Sequence, residues 1–128
     1  MIISYLDYSG NLEGDVFMDK HYTALGTSML VLKLLEQQSM YGYQIIKELE
    51  QQSNHVFCLQ EGTLYPILHS LEQKRAVVSM RKTAENGRER KYYEITAHGK
   101  KMLQEKIDEW EIYQHAVNQV IGGVQYDG

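Results

Sequence analysis

The stretch EGTLYPILHSLEQK, residues 61–74, puts Leu64, Ile67, Leu68 and Leu71 at i, i+3, i+4 and i+7. That spacing predicts a helix with one narrow apolar stripe. Its opposite face carries Gly62, Tyr65, Pro66, His69, Ser70 and Gln73, with no Glu or Asp between Gly62 and Ser70. An uncharged face of donors and acceptors suits a helix lying in a DNA major groove. On this segment alone an ordinary amphipathic surface helix is the better reading, and it is the flanking sequence that reverses the choice. Pro66 bears on where the helix begins. With Thr63 as N-cap, Pro66 is the third helical residue and its missing N–H has no partner to lose. A start near Gln60 puts Pro66 further inside and requires a local distortion. Both starts fit the sequence.

After Lys74 the apolar period changes from 3.6 to 2. Residues 76–80, AVVSM, read as a strand running into Arg81 and Lys82. Asn86–Gly87 is a strong turn signal, and residues 88–95 return as a second strand through Tyr92, Tyr93 and Ile95. Upstream, residues 21–38 read as a helix with Leu25, Met29, Leu32 and Leu35 on one stripe, widened by Leu30, Val31 and Leu34. Residues 39–42, SMYG, interrupt that pattern, and a further helix follows to about Ser53 with Ile45, Ile46 and Leu49 inward. Two short helices joined by residues 55–60 form a helix-turn-helix, and a hairpin directly after it is a wing.

The net charge is −4 over 128 residues, which by itself argues against a nucleic-acid partner. Its distribution argues the other way. From Lys74 to Lys101 there are nine basic residues against three acidic ones, a local +6, while the remainder holds four basic and fourteen acidic side chains. Arg81, Lys82, Arg88, Arg90 and Lys91 fall on the expected wing, beside the expected recognition helix, where phosphates would lie.

Thr96 is a good N-cap for a last helix from Ala97 to about Ile121, closed by Gly122–Gly123. Leu103, Ile107, Trp110, Val117 and Ile121 repeat as a heptad seam, with Gln114 in its one polar slot. A winged-helix body covers the start of such a helix but not its length, so a second copy of the chain is expected along the seam. Trp110 has two readings, dimer core or platform for a planar aromatic ligand.

Composition sets further bounds. At 43% hydrophobic residues the chain supports one domain with its own core. Expected divisions are an irregular extension over 1–17, a winged helix-turn-helix over 18–96, a dimerisation helix over 97–122 and a tail over 123–128. No signal peptide and no bilayer-length apolar run are found, which predicts a cytoplasmic protein without a membrane partner. Cys58 is the single cysteine, so no internal disulfide is possible. Its neighbours Val56, Phe57 and Leu59 predict a buried, inert thiol. The five histidines show no metal-ligand spacing, and no catalytic signature or phosphate loop appears. The expectation is therefore a mainly α protein with a small β-hairpin, no enzyme activity and no cofactor. The rival reading is a winged-helix module that binds another protein.

Three segments, LGTSMLVLKLLEQQSMYGYQIIKELE at 25–50, LQEGTLYPILHSLEQK at 59–74 and GRERKYYEITAHGKKML at 87–103, together resemble the PadR family of bacterial transcriptional regulators. The resemblance spans about His21 to Ile121. It implies a homodimeric winged-helix repressor on a pseudo-palindromic operator, released by small molecules. It further implies that Tyr41, Tyr43, Thr63 and Tyr65 touch the DNA backbone and that Arg88, Arg90 and Lys91 serve the wing. The short single C-terminal helix resembles the compact branch of the family; in members of that branch that bind flat aromatic drugs a tryptophan on this helix faces the dimer pore, and Trp110 occupies the matching place. Arg75 departs from the family pattern, which has glycine after the recognition helix. A left-handed arginine there would cost roughly 1 kcal/mol.

Overall fold

The structure is a computed structural model that describes residues 26–122. The expected extension over 1–17, residues 18–25 and the tail from 123 lie outside the described residues. Residues 26–37 form helix α1. There follow β1 (Met40–Tyr41), α2 (Gly42–Gln52), α3 (Glu61–Gln73), β2 (Val77–Thr83), β3 (Glu89–Ile95) and α4 (Ala97–Gly122). The three strands make one antiparallel sheet in the order β1-β3-β2. This is the winged helix-turn-helix expected, with one strand more than the sequence announced. β1 has two residues, too few for any period, and exists only because Met40 and Tyr41 pair with Tyr93 and Tyr92.

The core is built from the expected stripes. Val31, Leu32, Leu34 and Leu35 of α1, Ile45 and Leu49 of α2, and Leu64, Leu68 and Leu71 of α3 are all buried. From the sheet come Met40, Val77 and Tyr93, and from α4 Leu103. Burial of such side chains stabilises the fold by about 1.5–3 kcal/mol each.

Of the two possible starts for α3, the earlier one holds. Gln60 is the N-cap and its carbonyl accepts from Thr63 N–H and Leu64 N–H, both at 3.0 Å. Pro66 is then the sixth helical residue, so the Gly62 carbonyl has no i+4 donor. It lies on the exposed side of the helix, where water can satisfy it.

The helix ends on a tight closing turn. Ala76 N–H reaches back to the Leu71 carbonyl at 2.9 Å and Arg75 N–H to the Glu72 carbonyl at 3.0 Å. Arg75 is left-handed, with φ 62°. This resolves the departure seen in the sequence: the turn keeps the geometry that favours glycine and bears the strain of an arginine.

The same turn anchors α4. Thr96 Oγ1 donates to the Arg75 carbonyl at 2.7 Å and lies 3.1 Å from the Ala76 carbonyl, which also accepts Thr96 N–H at 3.0 Å. Thr96 Oγ1 in turn accepts Gly99 N–H at 2.9 Å, the N-cap bond expected of it. Gly99 is buried against Ala76, and a Cβ there would strike the Ala76 carbonyl oxygen. One knot therefore joins the end of α3, the start of β2, the end of β3 and the start of α4.

Two expectations are corrected. Cys58 is exposed, with Sγ 3.4 Å from the His55 carbonyl. Its segment follows two left-handed residues, Asn54 and His55 (φ 53° and 66°), and runs over the surface with Val56 and Phe57 also exposed. Leu103 was expected on an open dimer seam but lies in the domain core, and Ile107 packs against that core. The body thus covers α4 as far as Ile107, further along the helix than the seam reading allowed. Beyond it, Trp110, Tyr113, Val120 and Ile121 share the same helical face and are exposed, with Val117 half-buried among them.

The left-handed turn makes a direct test. Arg75→Gly is expected to raise the unfolding free energy by about 1 kcal/mol in urea denaturation. An unchanged midpoint would mean that the turn stores no strain.

Candidate nucleic-acid interface

Helix α3 presents Gly62, Pro66, His69 and Gln73 along the centre of its exposed side, directly opposite Leu64, Leu68 and Leu71. Thr63 and Ser70 flank that line on one side, with Thr63 exposed and Ser70 half-buried. Tyr65 and Glu72 flank it on the other, toward the sheet. Glu72 Oε2 accepts a 2.7 Å bond from Ser79 of β2, so this flank is tied to the hairpin.

Tyr65 is held by a close approach. The place where a side chain at Gly42 would stand is filled by the Tyr65 phenol. Glycine at the first residue of α2 is therefore what lets the tyrosine fold across the two helix starts. Burial pushes the phenol above its ordinary pKa, Glu61 and Tyr93 push the same way, and Arg90 and Lys91 oppose them. It stays protonated at neutral pH and can donate to an anion. Tyr43, also near the start of α2, is exposed, with Lys47 Nζ 5.7 Å from its ring centre.

The strand register divides the wing's cations in a way the sequence reading did not foresee. Arg81 is opposite Lys91, and Lys82 is opposite Arg90. Alternation puts the first pair on the face of Ser79 and Tyr93, which meets α3, and the second on the outer face with Tyr92 and Tyr41. On that outer face each cation lies against a ring. Arg90 Cζ is 4.7 Å from the Tyr41 ring centre and Lys82 Nζ is 4.5 Å from that of Tyr92. Lys82 also donates to Ser39 Oγ at 3.3 Å, and Tyr41 meets Tyr92 edge to face at 5.3 Å. Arg88 lies outside both pairs, in the tip. There a turn with Gly87 N–H on the Ala84 carbonyl (2.9 Å) and Gly87 at φ 85° closes the hairpin.

None of Arg81, Lys82, Arg90 and Lys91 has an ion-pair partner among the described residues. Two directly opposed like-charge pairs are unfavourable in a sheet, and no ion pair among the described residues neutralises them. The contributions of Ser39 and Tyr92 were missed in the sequence. The parity of Lys82 and Arg90 with Tyr92 was readable only once the register was fixed. No group of three or more His, Cys, Asp or Glu side chains among the described residues is gathered for a metal. None of the described helices is long and apolar enough to cross a membrane.

A winged helix-turn-helix with a polar helix face beside a cationic hairpin defines a DNA-binding regulator of transcription, and comparison with known proteins agrees. The Transcriptional regulator PadR-like family matches residues 31–105, and the chain belongs to it. It is a family of regulators, not of enzymes. An uncharacterised protein from Lysinibacillus sphaericus is 31% identical over 96 residues, 75% of this chain and 88% of its own. A transcriptional regulator from Clostridium thermocellum is similar in structure, with a TM-score of 0.71, 28% identity, and 77% of this chain and 96% of its own covered. A PadR family transcription regulator from Clostridium difficile gives 0.64 and 33% identity over 73% and 96%.

The Gly42–Tyr65 contact can be measured as a coupling. Gly42→Ala is expected to displace the exposed Tyr65 phenol, at a cost below the roughly 1–3 kcal/mol of core overpacking. In a Tyr65→Ala background the same change should cost nothing or stabilise, because the clash has gone and alanine favours a helix. Equal costs in both backgrounds would show that the two residues are independent.

Proposed function

We propose that this protein is a transcriptional repressor that binds a pseudo-palindromic operator as a homodimer and leaves it when a small molecule binds. The observation that carries the DNA-facing part is the two opposed cation pairs of the wing, which have no ion-pair partner among the described residues. A polyanion supplies the charge that both pairs lack. Arg81, Lys82, Arg88, Arg90 and Lys91 hold phosphates, and Thr63, Tyr65 and Tyr43 add backbone contacts near the two helix starts. Pro66, His69, Ser70 and Gln73 meet the groove. The rival reading, a protein-interaction module, has less support, because the family that the chain belongs to is one of transcriptional regulators.

The dimer follows from α4. Trp110, Tyr113, Val117, Val120 and Ile121 continue the face that Leu103 and Ile107 bury in the domain, and a second copy extends that burial. Two recognition helices must then reach successive major grooves about 34 Å apart. Their spacing depends on the angle between the paired α4 helices. A planar aromatic molecule against Trp110 that favours another angle releases the operator.

Selection of bound fragments from random DNA, followed by binding at several salt concentrations, tests the main reading. Arg81→Ala with Lys91→Ala should flatten the slope of log K against log salt by up to about 2 and weaken all sequences alike. His69→Ala should instead change preference at one base pair by about 1–3 kcal/mol. A uniform loss would make His69 a backbone contact. Ile121→Glu should yield a monomer in sedimentation, and a persistent dimer would move the interface elsewhere. Quenching of Trp110 fluorescence by planar cationic or phenolic compounds, without loss of DNA, would reject the release mechanism.

A further inference from the structure

Arg90 is unlike the other cations of the wing. Arg81, Lys82 and Lys91 are exposed, whereas Arg90 is half-buried, and its Nε is shielded from solvent without a hydrogen-bond partner. An unpaired, shielded N–H is unfavourable, so something must hold the guanidinium where it is. The group against it is the Tyr41 ring, at 4.7 Å, on a diagonal across the β1–β3 pairing. Tyr41 is itself fixed three ways. It is paired with Tyr92 across the strands, its ring meets the Tyr92 ring, and its N–H donates to Gln44 Oε1 at 3.1 Å at the start of α2. A tyrosine so fixed is a rigid seat, and the seat belongs to the helix-turn-helix while the guanidinium belongs to the wing.

We propose that Tyr41 acts on DNA through Arg90: its ring seats the guanidinium and so fixes the wing's phosphate-binding group relative to the helices before DNA arrives. Tyr41 is then a positioning residue whose ring matters and whose hydroxyl does not. This rests on the DNA-binding reading above. The neighbouring rung has the same design, with Lys82 over Tyr92 and tied to Ser39 just before β1. The two diagonals run side by side, so each cation of an opposed pair leans onto a ring. Seating a flexible side chain in advance removes part of the ordering cost of binding, and a cation–π contact at a partly exposed site is of a strength to do so.

The test has a part without DNA and a part with it. In the free protein the ring current of Tyr41 should displace the Arg90 side-chain proton resonances upfield. That displacement should survive Tyr41→Phe and vanish in Tyr41→Leu, which keeps apolar bulk at the strand position. On a selected DNA site, Tyr41→Phe should bind like the unchanged protein. Tyr41→Leu should bind about two- to fivefold more weakly, the range of an exposed cation–π contact. In an Arg90→Ala background Tyr41→Leu should add nothing further. Equal losses in Tyr41→Phe and Tyr41→Leu would make the hydroxyl a phosphate ligand and overturn the proposal. So would losses that add with Arg90→Ala, or the absence of the upfield displacement. If the unchanged protein binds no DNA at all, the functional reading fails and this role with it, an outcome distinct from failure of the seat alone.

Discussion

The arrangement depends on one point where four elements meet, the carbonyls of Arg75 and Ala76. Thr96 binds both, Gly99 binds Thr96, and the missing side chain at Gly99 lets the first turn of α4 settle onto the Ala76 oxygen. The mutual placement of α3, the hairpin and α4 passes through this knot. The recognition helix ends there, the wing both leaves and returns there, and the long helix departs from there. A shift of the left-handed turn would change the angle between α3 and the hairpin and the direction of α4 together. The cost of an arginine in that conformation, roughly 1 kcal/mol, is small against the bonds the turn makes possible.

A second level of order is built on that frame. Glu72 and Ser79 fasten the flank of α3 to β2, Tyr65 crosses from α3 to the start of α2 over Gly42, and Tyr41 and Ser39 hold the outer cations of the wing from the side of the helices. The polar face of α3 and the cations are thus fixed relative to one another by short contacts rather than by loops. For a DNA-binding surface this matters more than the identity of any one contact, since phosphates set register only if the groups that reach them are themselves in register.

Much of this was legible in the chain. The stripe Leu64, Ile67, Leu68 and Leu71 gave α3, the change of period after Lys74 gave the hairpin, and Thr96 gave the start of α4. These signals are local, so they survive in one dimension. What was not legible depends on pairing. β1 is two residues long and is a strand only beside Tyr92 and Tyr93. The division of the wing into two faces requires the register of Lys82 with Arg90. Leu103 and Cys58 were misread for the same reason in opposite directions. An apolar spacing along α4 does not say where the body stops covering it. Apolar neighbours around Cys58 do not make a core when left-handed residues carry the loop away from it. The start of α3 was open in the sequence because Thr63 and Gln60 differ only in which carbonyls find donors.

The opposed cations have a consequence for the protein when it is alone. Like charges facing one another across β2 and β3 strain the hairpin, and mobile ions relieve that strain as ionic strength rises. The same ions compete with the protein for phosphates and weaken its hold on DNA. Salt therefore acts with two opposite signs, steadying the free hairpin while loosening the protein's complex with DNA. The charge on the wing is a small, standing instability of the unbound hairpin, and on the function proposed above a bound polyanion removes it.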